Sequence, residues 1–130
     1  MKKILVIDDS EEIRDLVTLH LETEGYQVAA LGDAREAEEL CQTQPFDVVI
    51  CDLVMPLDDD QESESAMSGL HVIHSISKTL PHVPVIAISG QMQALLLDQL
   101  KIFGARLVLA KPFSREQLLA VVAQALQNAP

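Results

Sequence analysis

A chain of 130 residues, 48% of them apolar, suits one compact domain that can bury a real core, with little room for a second. Nine basic against twenty acidic residues give a formal charge of −11, which repels a nucleic-acid backbone and leaves a basic partner or a divalent cation as counterpart. Two cysteines without a CxxC spacing, no signal peptide and no apolar run long enough to cross a bilayer lead us to expect a reduced, soluble, cytoplasmic chain.

Short apolar runs alternate with helical patterns. Ile4 to Ile7 is the first run, and a helix opens at Ser10 with Ile13, Leu16, Val17 and Leu21 on one face and Gly25 past its end. Tyr26 to Leu31 leads to a second cap candidate, Asp33, and to a helix carrying Ala34, Ala37, Leu40 and Cys41. Asp47 to Cys51 forms the third run. The pattern then breaks into the acidic stretch from Leu57 to Gly69 and resumes with Leu70, Ile73 and Ile76. Val85 to Ile88 is the fourth run. The helix after it keeps Met92, Leu95, Leu96 and Phe103 in register and stops at Gly104. Arg106 to Ala110 is the fifth run, and a last helix starts near Ser114 with Leu118, Leu119, Val122 and Leu126 inward. Five strands and five helices in strict alternation predict an α/β fold, a parallel sheet covered on both faces.

Polar residues fall at the ends of the apolar runs. Asp8 and Asp9 close the first, Asp52 the third, Ser89 the fourth and Lys111 the fifth. In an open parallel sheet all carboxyl ends share one edge, where ligand sites form. Three carboxylates, a hydroxyl and an ammonium should converge there. Packed carboxylates repel unless something positive sits among them. Lys111 supplies one charge, and a hard dication such as magnesium is the natural second; without clustered Cys or His, zinc and copper are not expected. A carboxylate can act as nucleophile and form an acyl phosphate. That chemistry needs a metal, a cation and a small donor on the phosphoryl oxygens, which magnesium, Lys111 and Ser89 would supply.

The segments "ILVIDDS", "DVVICDLVMP", "PVIAISG" and "LAKPF" together resemble the receiver domains of two-component response regulators, in that family's order and over essentially the whole chain. The resemblance implies one receiver domain over 1–130 with an insertion at about 57–69, and a doubly wound, flavodoxin-like sheet of strand order 2-1-3-4-5. It implies that Asp52 is the phosphoacceptor, served by a phosphohistidine on a sensor kinase or phosphotransfer protein. Asp9 and Asp52 would ligate magnesium with the backbone carbonyl of Val54, and Asp8 would act mainly through water. Ser89 and Lys111 would meet the phosphate, and a cis bond would precede Pro112. Phosphorylation would then repack the surface of the fourth helix, fifth strand and fifth helix for a partner.

Three departures stand out. Val108 occupies a place where the family usually has an aromatic switch residue. Val54, two residues after Asp52, is aliphatic where the family often has a polar side chain. The span from Leu57 to Gly69 is longer than usual and carries Asp58, Asp59, Asp60, Glu62 and Glu64, as a solvated insertion or a contact for a basic partner or metal. Leu97 and Ile102 fall off the main stripe of the fourth helix and would suit a homodimer or partner face. His20, His71, His74 and His82 read as surface or boundary residues, and Cys51 as core. The alternatives are a degenerate receiver used as a phosphorylation-independent scaffold, an aspartyl phosphatase and a flavin module. Val54 stands where a phosphatase would place its second acid, and no phosphate-cradling loop follows the first strand.

Overall fold

The computed structural model describes residues 1–33, 35–52, 72–89 and 104–127. Five strands, β1 (Lys3–Ile7), β2 (Gln27–Leu31), β3 (Val48–Asp52), β4 (Val85–Ser89) and β5 (Leu107–Ala110), form one sheet of order β2-β1-β3-β4-β5. Every neighbouring pair is parallel. Helices α1 (Glu11–Thr23), α2 (Arg35–Thr43), α3 (72–79) and the C-terminal helix (Arg115–Gln127) cover its faces. This is the parallel α/β sheet expected from the alternation, in the doubly wound order 2-1-3-4-5 that the family resemblance implies. The predicted fourth helix and the acidic stretch lie outside the described residues.

The apolar runs are continuous because alternate residues serve different faces. Ile4 and Val6 of β1, Val48 and Ile50 of β3, and Ile86 and Ile88 of β4 pack under Val17 and Leu21 of α1 and Leu118 and Val122 of the C-terminal helix. Their neighbours Leu5, Ile7, Val49, Cys51, Val85 and Ala87 pack under Ala37 and Cys41 of α2 and Ile73 and Ile76 of α3. Each fully buried Ile, Leu or Val contributes about 1.5–3 kcal/mol relative to exposure. β3 is buried throughout, and β1 is buried from Ile4 to Ile7 and β4 from Val85 to Ile88. The edge strands β2 and β5 keep partly exposed positions, because each has a neighbour on one side only.

Caps fix where the helices begin and end. Ser10 Oγ accepts the Ile13 N–H at 3.3 Å, opening α1 directly after the two acids. At its end, the Gly25 N–H donates to the Glu22 carbonyl and the Tyr26 N–H to that of Leu21, a Schellman closure that needs the positive φ of Gly25 (97°). The C-terminal helix opens on a capping box: Ser114 Oγ accepts the Gln117 N–H at 3.0 Å, and Gln117 Oε1 accepts the Ser114 N–H at 2.9 Å.

One inward assignment is corrected. Leu16 was expected beside Val17 and Leu21, yet it is 41% exposed, and Leu19 is 61% exposed. Ile13, Val17 and Leu21 recur every fourth residue and form the stripe that meets the sheet; Leu16 lies about 100° around the helix from its centre.

Candidate functional site

The strand order reverses between β1 and β3, and the acids sit at that switch point. Ile7 pairs with Cys51, so Asp8 and Asp9 leave β1 beside Asp52, the last residue of β3. Ser89 ends β4 and pairs with Ala110, and Lys111 follows β5. Sheet topology alone therefore gathers residues more than a hundred positions apart. The side chain of Ser89 and all of Val54 lie outside the described residues.

Asp8 and Asp52 are buried, and Asp9 is the most open of the three. Carboxylate oxygens from all three lie within 4.8 Å of one another. Lys111 Nζ stands 3.1 Å from Asp8 Oδ2 and 3.3 Å from Asp52 Oδ2, at 24% side-chain exposure. The Lys111–Pro112 peptide bond is cis. Val108 is half-buried and packs against the core under α2 and α3.

Asp8 is held on nearly every side. Its N–H donates to the Leu31 carbonyl at 3.0 Å, and its Oδ1 accepts the Ser10 N–H at 2.9 Å. Its own carbonyl accepts from Arg14 Nη1 at 2.7 Å. Oδ2 is the exception: it is buried and, among the described residues, takes part in no hydrogen bond of good geometry, although Lys111 is within ion-pair distance. A buried carboxylate in a cluster of three acids that shares, among the described residues, one ammonium is suited to a cation.

The electrostatics agree. Burial, then the neighbouring Asp8, raises the Asp9 carboxyl above its ordinary value of 3.8, and Lys111 does not offset this. Burial of Lys111 favours its neutral form, but Asp52 and then Asp8 outweigh that and hold its pKa above 10.5. Among the described residues three acids face one ammonium, an excess of negative charge. An all-oxygen donor set fits a hard dication that keeps waters. Cys51 is no ligand: burial, then Asp52 and Asp8, raise its thiol pKa and keep it protonated.

The other singled-out groups fall where their residue types place them. Cys41 and Cys51 are buried, His20 sits at a boundary, and His74 and His82 are exposed; His71 lies outside the described residues. Sequence reasoning missed Arg14. Its partner is a backbone carbonyl reached only once the β1–α1 turn has closed, so no residue-type pattern announces it.

Comparison with known proteins completes the assignment. The family described as the response regulator receiver domain matches residues 4–123. The regulatory protein VirG of Agrobacterium fabrum is 31% identical over 134 residues, covering 100% of this chain and 48% of that protein. An NtrX-like response regulator of Rickettsia typhi is 30% identical over 124 residues, covering 95% of this chain and 25% of that protein. The chain thus spans between a quarter and a half of the length of these curated relatives. Among solved structures, the Vibrio cholerae chemotaxis protein CheY4 superposes with a TM-score of 0.83 at 31% identity, covering 97% of this chain and 99% of that one. No helix among the described residues is long and apolar enough to cross a membrane. With the sheet order, the acid cluster and the family match in agreement, the chain belongs to the response regulator receiver-domain family.

Proposed function

We propose that this chain is a phosphoacceptor of a two-component relay in which Asp52 takes a phosphoryl group from a phosphohistidine on a sensor kinase or phosphotransfer protein. The observation that carries the reading is the convergence of Asp8, Asp9, Asp52 and Lys111 at the carboxyl edge of the sheet. An Asp52 carboxylate oxygen attacks phosphorus, the N–P bond breaks, and the imidazole leaves with the bonding pair and takes up a proton. Asp8, Asp9 and Asp52, with the Val54 carbonyl, would hold magnesium, which supplies charge compensation for the phosphoryl oxygens. Lys111, already against Asp52, would hold one of those oxygens, and Ser89, the last residue of β4, would meet another.

The receiver unit spans residues 1–130, with the acidic stretch at about 57–69 as an insertion after Pro56. The product adds roughly −1.5 to −2 charge in a pocket already rich in acid. Ser89 and Lys111 then reorganise around it, and the surface of the predicted fourth helix, β5 and the C-terminal helix passes the change to a partner or a second copy. Val108 makes that relay a packing change without an aromatic flip. Incubation with magnesium and acetyl phosphate, followed by intact-mass measurement, is expected to give one phosphate adduct that is lost in Asp52→Asn. No adduct with several small donors, and none from a kinase, would turn the reading toward a phosphorylation-independent scaffold.

A further inference from the structure

We infer that Arg14 is a positioning residue for the metal-binding acids: its guanidinium fixes the Asp8 carbonyl, and with it the β1–α1 turn that presents Asp8 and Asp9. The inference rests on the magnesium reading above and goes beyond it, because the Arg14 contact is to the Asp8 backbone carbonyl and not to a carboxylate oxygen.

Two independent features point to it. Arg14 Nη1 donates to the Asp8 carbonyl at 2.7 Å, from the first turn of α1 back across the turn that precedes the helix. This bond completes Asp8: its N–H is tied to Leu31 at the end of β2, its Oδ1 to Ser10, and only Oδ2 is left toward the other acids. The second feature is Gly32, just past β2. A Cβ there would stand 2.7 Å from Arg14 Nη1 and 3.2 Å from Cζ, with nothing closer. The guanidinium therefore occupies the space that a side chain at position 32 would take. Arg14 Nη1 is the far end of a flexible side chain, so the fold can accept an alanine at 32 by moving it away.

The turn needs such a tie. Mutual repulsion among Asp8, Asp9 and Asp52 opposes the close spacing at which the turn holds them. A backbone clamp holds the acids at a fixed spacing without occupying any carboxylate oxygen. Groups that orient ligands from outside the coordination shell typically govern about 10–100-fold of metal affinity.

The Gly32→Ala variant separates position from charge, since it displaces the guanidinium and keeps it on the protein. Calorimetric titration with magnesium chloride is expected to show affinity about tenfold weaker in Gly32→Ala and in Arg14→Met. The double variant should be little worse than either single one, because both break the same contact. The loss should persist in about 1 M potassium chloride, where the screening length is roughly 3 Å and a pure charge effect fades. Urea unfolding without metal reports folding separately. Unchanged affinity in both variants, with or without lower stability, overturns the inference and leaves magnesium binding intact. A change in Arg14→Met alone that salt abolishes also overturns it, in favour of charge. Absence of magnesium binding in the wild type overturns the metal reading and this inference together.

Discussion

The two edges of the sheet handle charge in opposite ways. At the amino edge the polar groups are matched. The Lys3 N–H donates to Asp47 Oδ2 at 2.8 Å, Lys3 Nζ donates to Gln44 Oε1 at 2.5 Å, and the same ammonium lies 5.2 Å from the centre of the Phe46 ring. At the carboxyl edge three acids cluster, two of them paired with Lys111, and among the described residues Asp8 Oδ2 is buried without a well-formed hydrogen bond. The first arrangement tethers β1 to the segment entering β3. The second concentrates negative charge that folding alone does not call for, and sites of function are where such imbalance is kept. The contrast yields a direct test. Lys111→Met leaves two buried carboxylates uncompensated and is expected to cost about 3–5 kcal/mol in metal-free urea unfolding. Lys3→Met removes a boundary contact and should cost less than about 1 kcal/mol. Equal losses would show that the edges do not differ in this way.

A second prediction concerns how long the carboxyl edge stays phosphorylated. Val54 stands two residues past Asp52 in the sequence and is aliphatic where the receiver family often has a polar side chain. Our proposal is that it shields the acyl phosphate from water. Val54→Asn should then speed dephosphorylation roughly tenfold, about 1.4 kcal/mol of barrier. The decay of the phosphorylated mass after donor removal measures it, and an equal or longer half-life in the variant would refute the shielding role.

Much of the contrast is legible in the amino-acid sequence. Apolar runs such as Ile4 to Ile7 and Val85 to Ile88 mark strands, and the polar residue closing each run falls on one edge because the sheet is parallel. The family order of those residues supplied the strand order as an expectation. What stayed hidden depends on angles and backbone atoms. Leu16 reads like its neighbours until helix geometry turns it from the sheet. The half-exposed edge strands look like the buried ones in composition, since their difference is a missing neighbour. Arg14 is one arginine on an acidic, exposed helix turn until the Asp8 carbonyl appears beneath it. Gly32 reads as an ordinary turn glycine until the guanidinium fills its empty side.

The smallest expected effect follows from the acids themselves. Burial and Asp8 raise the Asp9 carboxyl above 3.8 in the folded chain. Between that ordinary value and the raised one, the folded state binds more protons than the unfolded state. Metal-free stability should therefore fall as pH rises through this window, the reverse of a carboxylate held by a salt bridge. Asp9→Asn removes the repulsion and should stabilise the metal-free chain at neutral pH by up to about 1 kcal/mol while flattening that slope. Magnesium should reverse the order, stabilising the wild type and leaving Asp9→Asn nearly unaffected, because a ligand that binds only the folded state shifts unfolding by mass action. Urea midpoints across acid to neutral pH, with and without magnesium, measure both signs. If Asp9→Asn is destabilising without metal, then Asp9 is held by a favourable contact, and the carboxyl edge is less strained than its charge count implies.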